Sequence, residues 1–279
     1  MILIADSGSS KTDWLLINEN QLTGTIETPG INPYFQKQDE ILQKLSPFFR
    51  EETKKSVRNV YFYGAGCIKN ESDRIVIHAL KNIFPLAEIA VEDDMLGAAR
   101  ALLGRKEGIA CILGTGSNSC KYDGTKITEK VPSLGFILGD EGSGAYLGKT
   151  FLNNYFKREV PQDLYPLIEN ELKLEMPTVL AAVYRGEYPS RYLAGFSKFI
   201  LKNIGHPYFK NLIQHGLEAF IEKNVERYEG FLHLPVNFAG SIAFHYRKNL
   251  EEVAREKHIR IGKILHKPID GLMQYHVIK

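Results

Sequence analysis

Two short stretches, DSGSSKTD at residues 6–13 and GTGSNS at residues 114–119, constrain the fold of this chain more than anything else in it. Each interrupts an aliphatic run that resumes at once: ILIA enters the first and WLLI leaves it, while IACIL enters the second and CKY leaves it. Two apolar runs flanking a glycine-bearing turn predict a β-hairpin. A third extended run follows each hairpin, at 24–28 in the first case and as KITEKV after an Asp123-Gly124 turn in the second. The halves differ too much for a repeat by identity. Their matching order predicts a duplicated architecture.

The turns hold more hydroxyls and backbone donors than a chain reversal requires. Glycine lets N–H groups approach an anion and Ser/Thr hydroxyls add donors. Gly8, Ser9, Ser10, Lys11 and Thr12 in the first turn, with Gly114, Thr115 and Gly116 in the second, therefore predict a phosphate chain held from two sides. Asp6 ends the first strand. A carboxylate beside a triphosphate is repelled unless it serves a metal, so Asp6 is the candidate metal ligand.

Hydrophobic periodicity fills in the rest. Strands are expected at 2–5, 14–17, 24–28, 57–63 and 87–92, with helices at 39–49, 73–83 and 95–103. The later part reads as helical from 142 to 228, then as a strand at 236–239, a helix at 244–256 and a strand at 259–264. PIDGLMQYH near the end has a proline start and helical spacing of Leu272, Met273 and Tyr275. GSGAYLGKT at 142–150 imitates the phosphate loop G-x-x-x-x-G-K-[ST], but Ser143 stands where its first glycine belongs, and Asp140-Glu141 precede it. It reads as a helix with Lys149 on a solvated face.

The formal charge of +2, from 35 basic and 33 acidic residues mixed along the chain, gives no basic stripe for a nucleic acid or an acidic membrane. No run approaches the roughly 20 apolar residues of a membrane span, and Asp6 interrupts the first apolar run short of a targeting core. Cys67, Cys111 and Cys120 form no CxxC pair and are odd in number. That predicts reduced, buried thiols in a cytoplasmic protein.

DSGSSKTD, GTGSN, GFILGDEGSGA and FAGSIA, in this order over nearly the whole chain, resemble the motifs of the N-acetylglucosamine kinase and BadF/BadG-type ATPase family of the actin-like ATPase and sugar kinase superfamily. The resemblance implies an α/β chain of two ribonuclease-H-like lobes around a nucleotide cleft. The lobes would be 1–107 plus about 266–279, and 108–265 with a helical insertion. It implies ATP and magnesium as cofactors, the metal near Asp6, phosphate contacts from Ser10 and Thr115, and Gly240 and Ser241 against adenosine. In VEDDMLGAARA the Asp-x-x-Gly-Ala part resembles the family's base motif, which places the proton acceptor on Asp94, with Asp93 left to cap the helix. Read without the resemblance, both are carboxylates favoured at a helix N-terminus. Asp140 matches a sugar-binding aspartate and Asn32 an asparagine that contacts sugar hydroxyls.

The implied activity is transfer of phosphate from ATP to a small-molecule sugar, N-acetylglucosamine at its 6-hydroxyl, with room for a homodimer. One departure bears on the substrate. Some members carry tryptophan in a G-W-G segment where this chain has Ser133-Leu134-Gly135. The platform for an acetamido group is then missing, which keeps glucosamine and N-acetylmuramic acid as alternatives. Tyr34 could supply aromatic contact, although packing against its lobe is the expectation. Two other readings stay open: an activator ATPase holding an iron–sulfur cluster between subunits, which needs thiolate ligands, and a non-catalytic ATP-binding regulator.

Overall fold

The computed structural model describes residues 1–8, 11–69 and 71–277. Ten strands form two sheets of five. The first sheet uses β1 (Ile2–Ser7), β2 (Lys11–Asn18), β3 (Gln21–Pro29), β4 (Asn59–Gly64) and β5 (Glu88–Asp93). The second uses β6 (Gly108–Leu113), β7 (Ser117–Tyr122), β8 (Ile127–Glu129), β9 (Val236–Ala239) and β10 (Ile261–Leu265). The first runs β3-β2-β1-β4-β5, and the second, read from its β8 edge, runs β8-β7-β6-β9-β10. Each places its own third, second, first, fourth and fifth strand in that order, so the duplication expected from the two hairpins is present as topology.

In the first sheet β1, β2 and β3 pair antiparallel, while β4 joins β1 and β5 joins β4 in parallel. Alternation sets its faces. Leu3 and Ala5 of β1, Trp14 of β2, and Val60 and Phe62 of β4 face a core closed by Ile41 and Leu45 of the helix Gln38–Leu45 and by Val76 and Leu80 of the helix Asp73–Ile83. Trp14 is fully buried, packs edge-on to Phe49 at 5.1 Å, and donates its indole N–H to Thr28 Oγ1 at 3.0 Å. The helices Asp94–Leu103 and Ile269–Val277 pack on each other and against β1.

By its contacts the chain divides into Met1–Ala110 with Tyr122–Thr128 and Lys267–Lys279, and Cys111–Lys121 with Glu129–His266. The second unit is largely helical, with a long run of helices between Gly144 and Phe220. Three local expectations are corrected. The helix expected at 39–49 ends at Leu45, because Pro47 lacks the N–H that would continue it, and a 3-10 turn Ser46–Phe48 follows. The helix expected at 244–256 is two, Ser241–His245 and Arg247–Glu256, divided at Tyr246. The strand expected from KITEKV is only Ile127–Glu129. All three cysteines are free and buried. Among the described residues no helix is long and apolar enough to cross a membrane.

Candidate functional site

Parallel pairing brings the carboxyl ends of three strands of the first sheet level. Asp6 is in register with Tyr63, and Tyr63 with Glu92; Ser7 is in register with Gly64, and Gly64 with Asp93. β1 is also where pairing changes sense, antiparallel to β2 and parallel to β4, which is where open α/β sheets form binding crevices. Asp94 opens the helix at this end. Asp93 caps it, accepting the Met95 N–H at 2.9 Å, as expected. Asp13 of β2 is Asp6's partner on the other side.

These carboxylates affect one another. Asp6 keeps partial solvent access, yet desolvation, then the charges of Asp94 and Asp13, push its carboxyl up to about 7. The Ile269 backbone N–H and the Lys267 ammonium oppose that rise. Lys267 also pairs with Asp13 at 3.1 Å. The C-terminal segment therefore supplies an N–H and a cation to this acidic edge, two contributors that the sequence reading missed. Among the described residues, no group of three or more His, Cys, Asp or Glu side chains is arranged to hold a metal alone. Magnesium needs no such cage, since it binds through one or two carboxylates, waters and substrate phosphates. Asp6, in register with Asp13 and feeling the charge of Asp94, fits that chemistry, because a cation there relieves the repulsion among the carboxylates.

The first glycine turn divides its hydroxyls. Gly8 is exposed, its N–H donating to the Lys11 carbonyl at 3.0 Å. Ser9 and Ser10, both expected at the phosphates, lie outside the described residues. Thr12 is corrected: it is fully buried, with Oγ1 2.7 Å from Ser7 Oγ and donating to the Pro29 carbonyl at 3.3 Å. Its hydroxyl faces the core and is engaged there. The Lys11 ammonium is in ion pairs with Glu27 at 3.0 Å and Asp13 at 3.3 Å.

Ser7 Oγ accepts the Ile31 N–H at 3.1 Å, which ties the loop carrying Asn32 to β1. Within that loop the Asn32 N–H donates to Gln36 Oε1 at 2.9 Å, and Asn32 Oδ1 accepts the Tyr34 N–H at 3.1 Å. Gly66, in the left-handed region at φ +76°, makes room for them: a Cβ there would lie 2.7 Å from Asn32 Oδ1 and 2.9 Å from the Tyr34 ring. Tyr34 does not pack into its unit; it is 64% exposed.

In the second unit the other glycine turn gathers its expected residues. Gly114 N–H donates to the Gly116 carbonyl at 3.0 Å. Asp140, at φ +56°, lies directly on this turn, its Oδ1 accepting the Ser117 N–H at 3.2 Å and its Oδ2 2.8 Å from where a Cβ of Gly116 would stand. Burial raises the Asp140 carboxyl, with the Ser117 N–H opposing. Gly240, at φ +120°, crosses the Leu113 carbonyl so closely that no side chain fits, and Ser241 begins the next helix. Ser133 donates to the Ser117 carbonyl at 3.3 Å. Leu134 is exposed, and Gly135 follows at φ +70°.

The segment that imitates a phosphate loop is the start of the helix Gly144–Phe156. Its first four N–H groups are all engaged: Gly144 with the Gly114 carbonyl, Ala145 with the Thr115 carbonyl, and Tyr146 and Leu147 with Oγ and O of Ser143. None is left for an anion. Lys149 is not on a solvated face; it is half-buried and donates to the Phe136 carbonyl at 2.8 Å.

Neither a family model nor a curated protein matches the chain. Among solved structures, a candidate N-acetylglucosamine kinase from Porphyromonas gingivalis is 44% identical, with a TM-score of 0.94 over 99% of this chain and 98% of its own. A second candidate N-acetylglucosamine kinase, from Chromobacterium violaceum, is 16% identical and superposes with a TM-score of 0.75 over 98% of each chain. A ROK family glucokinase from Streptomyces griseus, solved with glucose and AMPPNP, shares the fold at 15% identity and a TM-score of 0.57, over 98% of this chain and 97% of its own.

Proposed function

This chain belongs to the N-acetylglucosamine kinase family of actin-like sugar kinases, and on that premise we propose that it transfers the γ-phosphoryl group of ATP to the 6-hydroxyl of N-acetylglucosamine. The observation that carries this reading is the placement of Asp6 and Asp94 together at the switch point of the first sheet, close enough for the charge of one to raise the carboxyl of the other.

Phosphoryl transfer to a sugar needs positioning, charge neutralisation and a proton acceptor. Asp94, at the start of its helix and not engaged as the cap, takes the proton from the attacking hydroxyl. Asn32, Asp94 and Asp140 are the residues assigned to the sugar hydroxyls in this reading. Gly8 with Ser9 and Ser10, and Gly114, Thr115 and Gly116, address the phosphates, while Gly240 and Ser241 lie against adenosine. Asp6 would hold magnesium, which would supply neutralisation of phosphate charge. Three free, buried cysteines support a reducing, cytoplasmic setting and offer no surface thiolates for a shared iron–sulfur cluster.

Leu134, at the position of the family's tryptophan, supports a site that accepts glucosamine or N-acetylmuramic acid beside N-acetylglucosamine. Coupled ADP-release measurements over a panel of amino sugars test the assignment. ADP release should require a sugar and be fastest with an N-acetylated one. Strong ATP turnover without sugar, unchanged by every member of the panel, would overturn it.

A further inference from the structure

The helical part of the second unit contains a groove of about 530 Å³. One wall is the helix Gly144–Phe156 and its end, which presents Lys149, Asn153 and Lys157, with Leu152 and Phe156 between them. The other is the helix Met176–Tyr184, which presents Met176, Leu180 and Tyr184. Both sets recur at helical spacing, so each wall is one continuous helix face about two turns, or roughly 12 Å, long. Phe136 closes one end, where Lys149 is held on its carbonyl. Lys157 is exposed at the other.

The charge pattern selects the occupant. Lys149 and Lys157 are among the lining residues, with the Lys149 ammonium held on the Phe136 carbonyl, and no Asp or Glu is. Apolar side chains make the remainder of the lining except Asn153 and the Tyr184 hydroxyl. A sugar or nucleotide base would leave its polar groups unpaired against such walls, which is costly. A cationic amphiphile would be repelled by both lysines. An apolar chain gains from burial along the walls, and a terminal carboxylate gains a partner in Lys157 and a donor in the Asn153 amide. The volume lies within the usual range for small-molecule sites. We propose that this groove is a binding site for an anionic amphiphile, a carboxylate at the end of an unbranched hydrocarbon chain. The carboxylate lies at Lys157 and Asn153 and the chain runs toward Phe136. The assignment is independent of the kinase reading.

The test titrates decanoate below its micelle concentration into the chain, followed by calorimetry and by the fluorescence of a Tyr184→Trp variant. Tyr184 is 80% exposed, and the single native tryptophan, Trp14, is buried in the other unit. Decanoate should bind saturably, and about tenfold more tightly than decyltrimethylammonium, which has a comparable chain and the opposite charge. Lys157→Ala should weaken decanoate about fivefold, the scale of one exposed ion pair. Leu180→Asp, at a half-exposed position where folding tolerates charge, should abolish binding while its thermal midpoint stays near that of the unaltered protein. Equal affinity for both headgroups, or no saturable binding, would overturn the proposal. So would a native dimer in sedimentation that Leu180→Asp converts to monomers, because a second copy would then be the occupant.

Discussion

Gly271 of the C-terminal helix lies against Ala101, on the helix that begins with Asp94, so closely that a Cβ on Gly271 would overlap the Ala101 carbonyl and stand 2.9 Å from the Ala101 Cα. No side chain can give way there, because the opposing atoms are backbone. Gly271→Ala should therefore destabilise the protein by about 1–3 kcal/mol, the usual cost of overpacking. Gly195→Ala, where no atom lies within 4 Å of the added Cβ, is the control. Equal thermal midpoints for the two variants would show that the helices separate without cost.

The proton-acceptor role proposed for Asp94 is isolated by removing that capacity alone. Asp94→Asn keeps size and hydrogen-bonding ability, so sugar-dependent turnover should fall by roughly 100-fold or more while ATP still binds. Near-normal turnover in the steady-state assay would remove Asp94 from the role.

His276 gives the fold a pH dependence of known sign. Its ring stacks on Tyr61 with centroids 3.9 Å apart, and its Nε2 is 2.8 Å from the Tyr63 hydroxyl, which also accepts from Arg100 at 3.0 Å. Burial, then the Arg100 guanidinium, pushes its pKa down to about 4, against about 6.5 in an unfolded chain. Between those values the unfolded state binds more protons, so stability rises with pH across the window and levels off above it. The contribution of neutral His276 is present above about 6.5 and lost as pH falls toward 4. Thermal midpoints of His276→Phe should decline less steeply over this range than those of the native chain. Identical slopes would mean that His276 does not carry the dependence.

The proposed place of Leu134 in the sugar site is tested by specificity. Loss of an aromatic platform removes about 1–2 kcal/mol of contact, so specificity constants for N-acetylglucosamine and at least one relative, glucosamine or N-acetylmuramic acid, should fall within about 100-fold of each other. Leu134→Trp should steepen the preference. Native discrimination above about 10⁴-fold would require a polar group that reads the substituent, and Leu134 would lose its place beside the sugar.

What the sequence disclosed depended on how local the cause was. The helix Asp73–Ile83 and the strand Val236–Ala239 lie where their periodicity places them, since one buried stripe or one apolar run defines each. Thr12 was legible but misread. It alternates with Trp14 on β2, and both are buried, so the period of two assigns its hydroxyl to the core and not to a ligand. The room Gly66 leaves for Asn32, and the reach of Lys267 to Asp13, join residues far apart in the chain. No spacing rule connects such positions before the sheet has aligned them. In the second unit the glycine turn and GFILGDEGSGA were each visible as motifs, and the seating of Asp140 on Gly116 needed the fold.

The first unit is discontinuous, and that fixes an order of events during synthesis. Its sheet leaves the ribosome early, with the meander β1-β2-β3 able to form from local contacts, but the helix Ile269–Val277 that packs on β1 and supplies an N–H to Asp6 emerges only after residues 111–266. Until then the helix Asp94–Leu103 covers its side of the sheet alone, and the part over β1 and β2 that the C-terminal helix will cover stays open for the time needed to make more than half the chain, a window in which exposed apolar surface invites association. The acidic edge is therefore complete only once Lys267 and Ile269 have joined Asp6, after the whole second unit has been made.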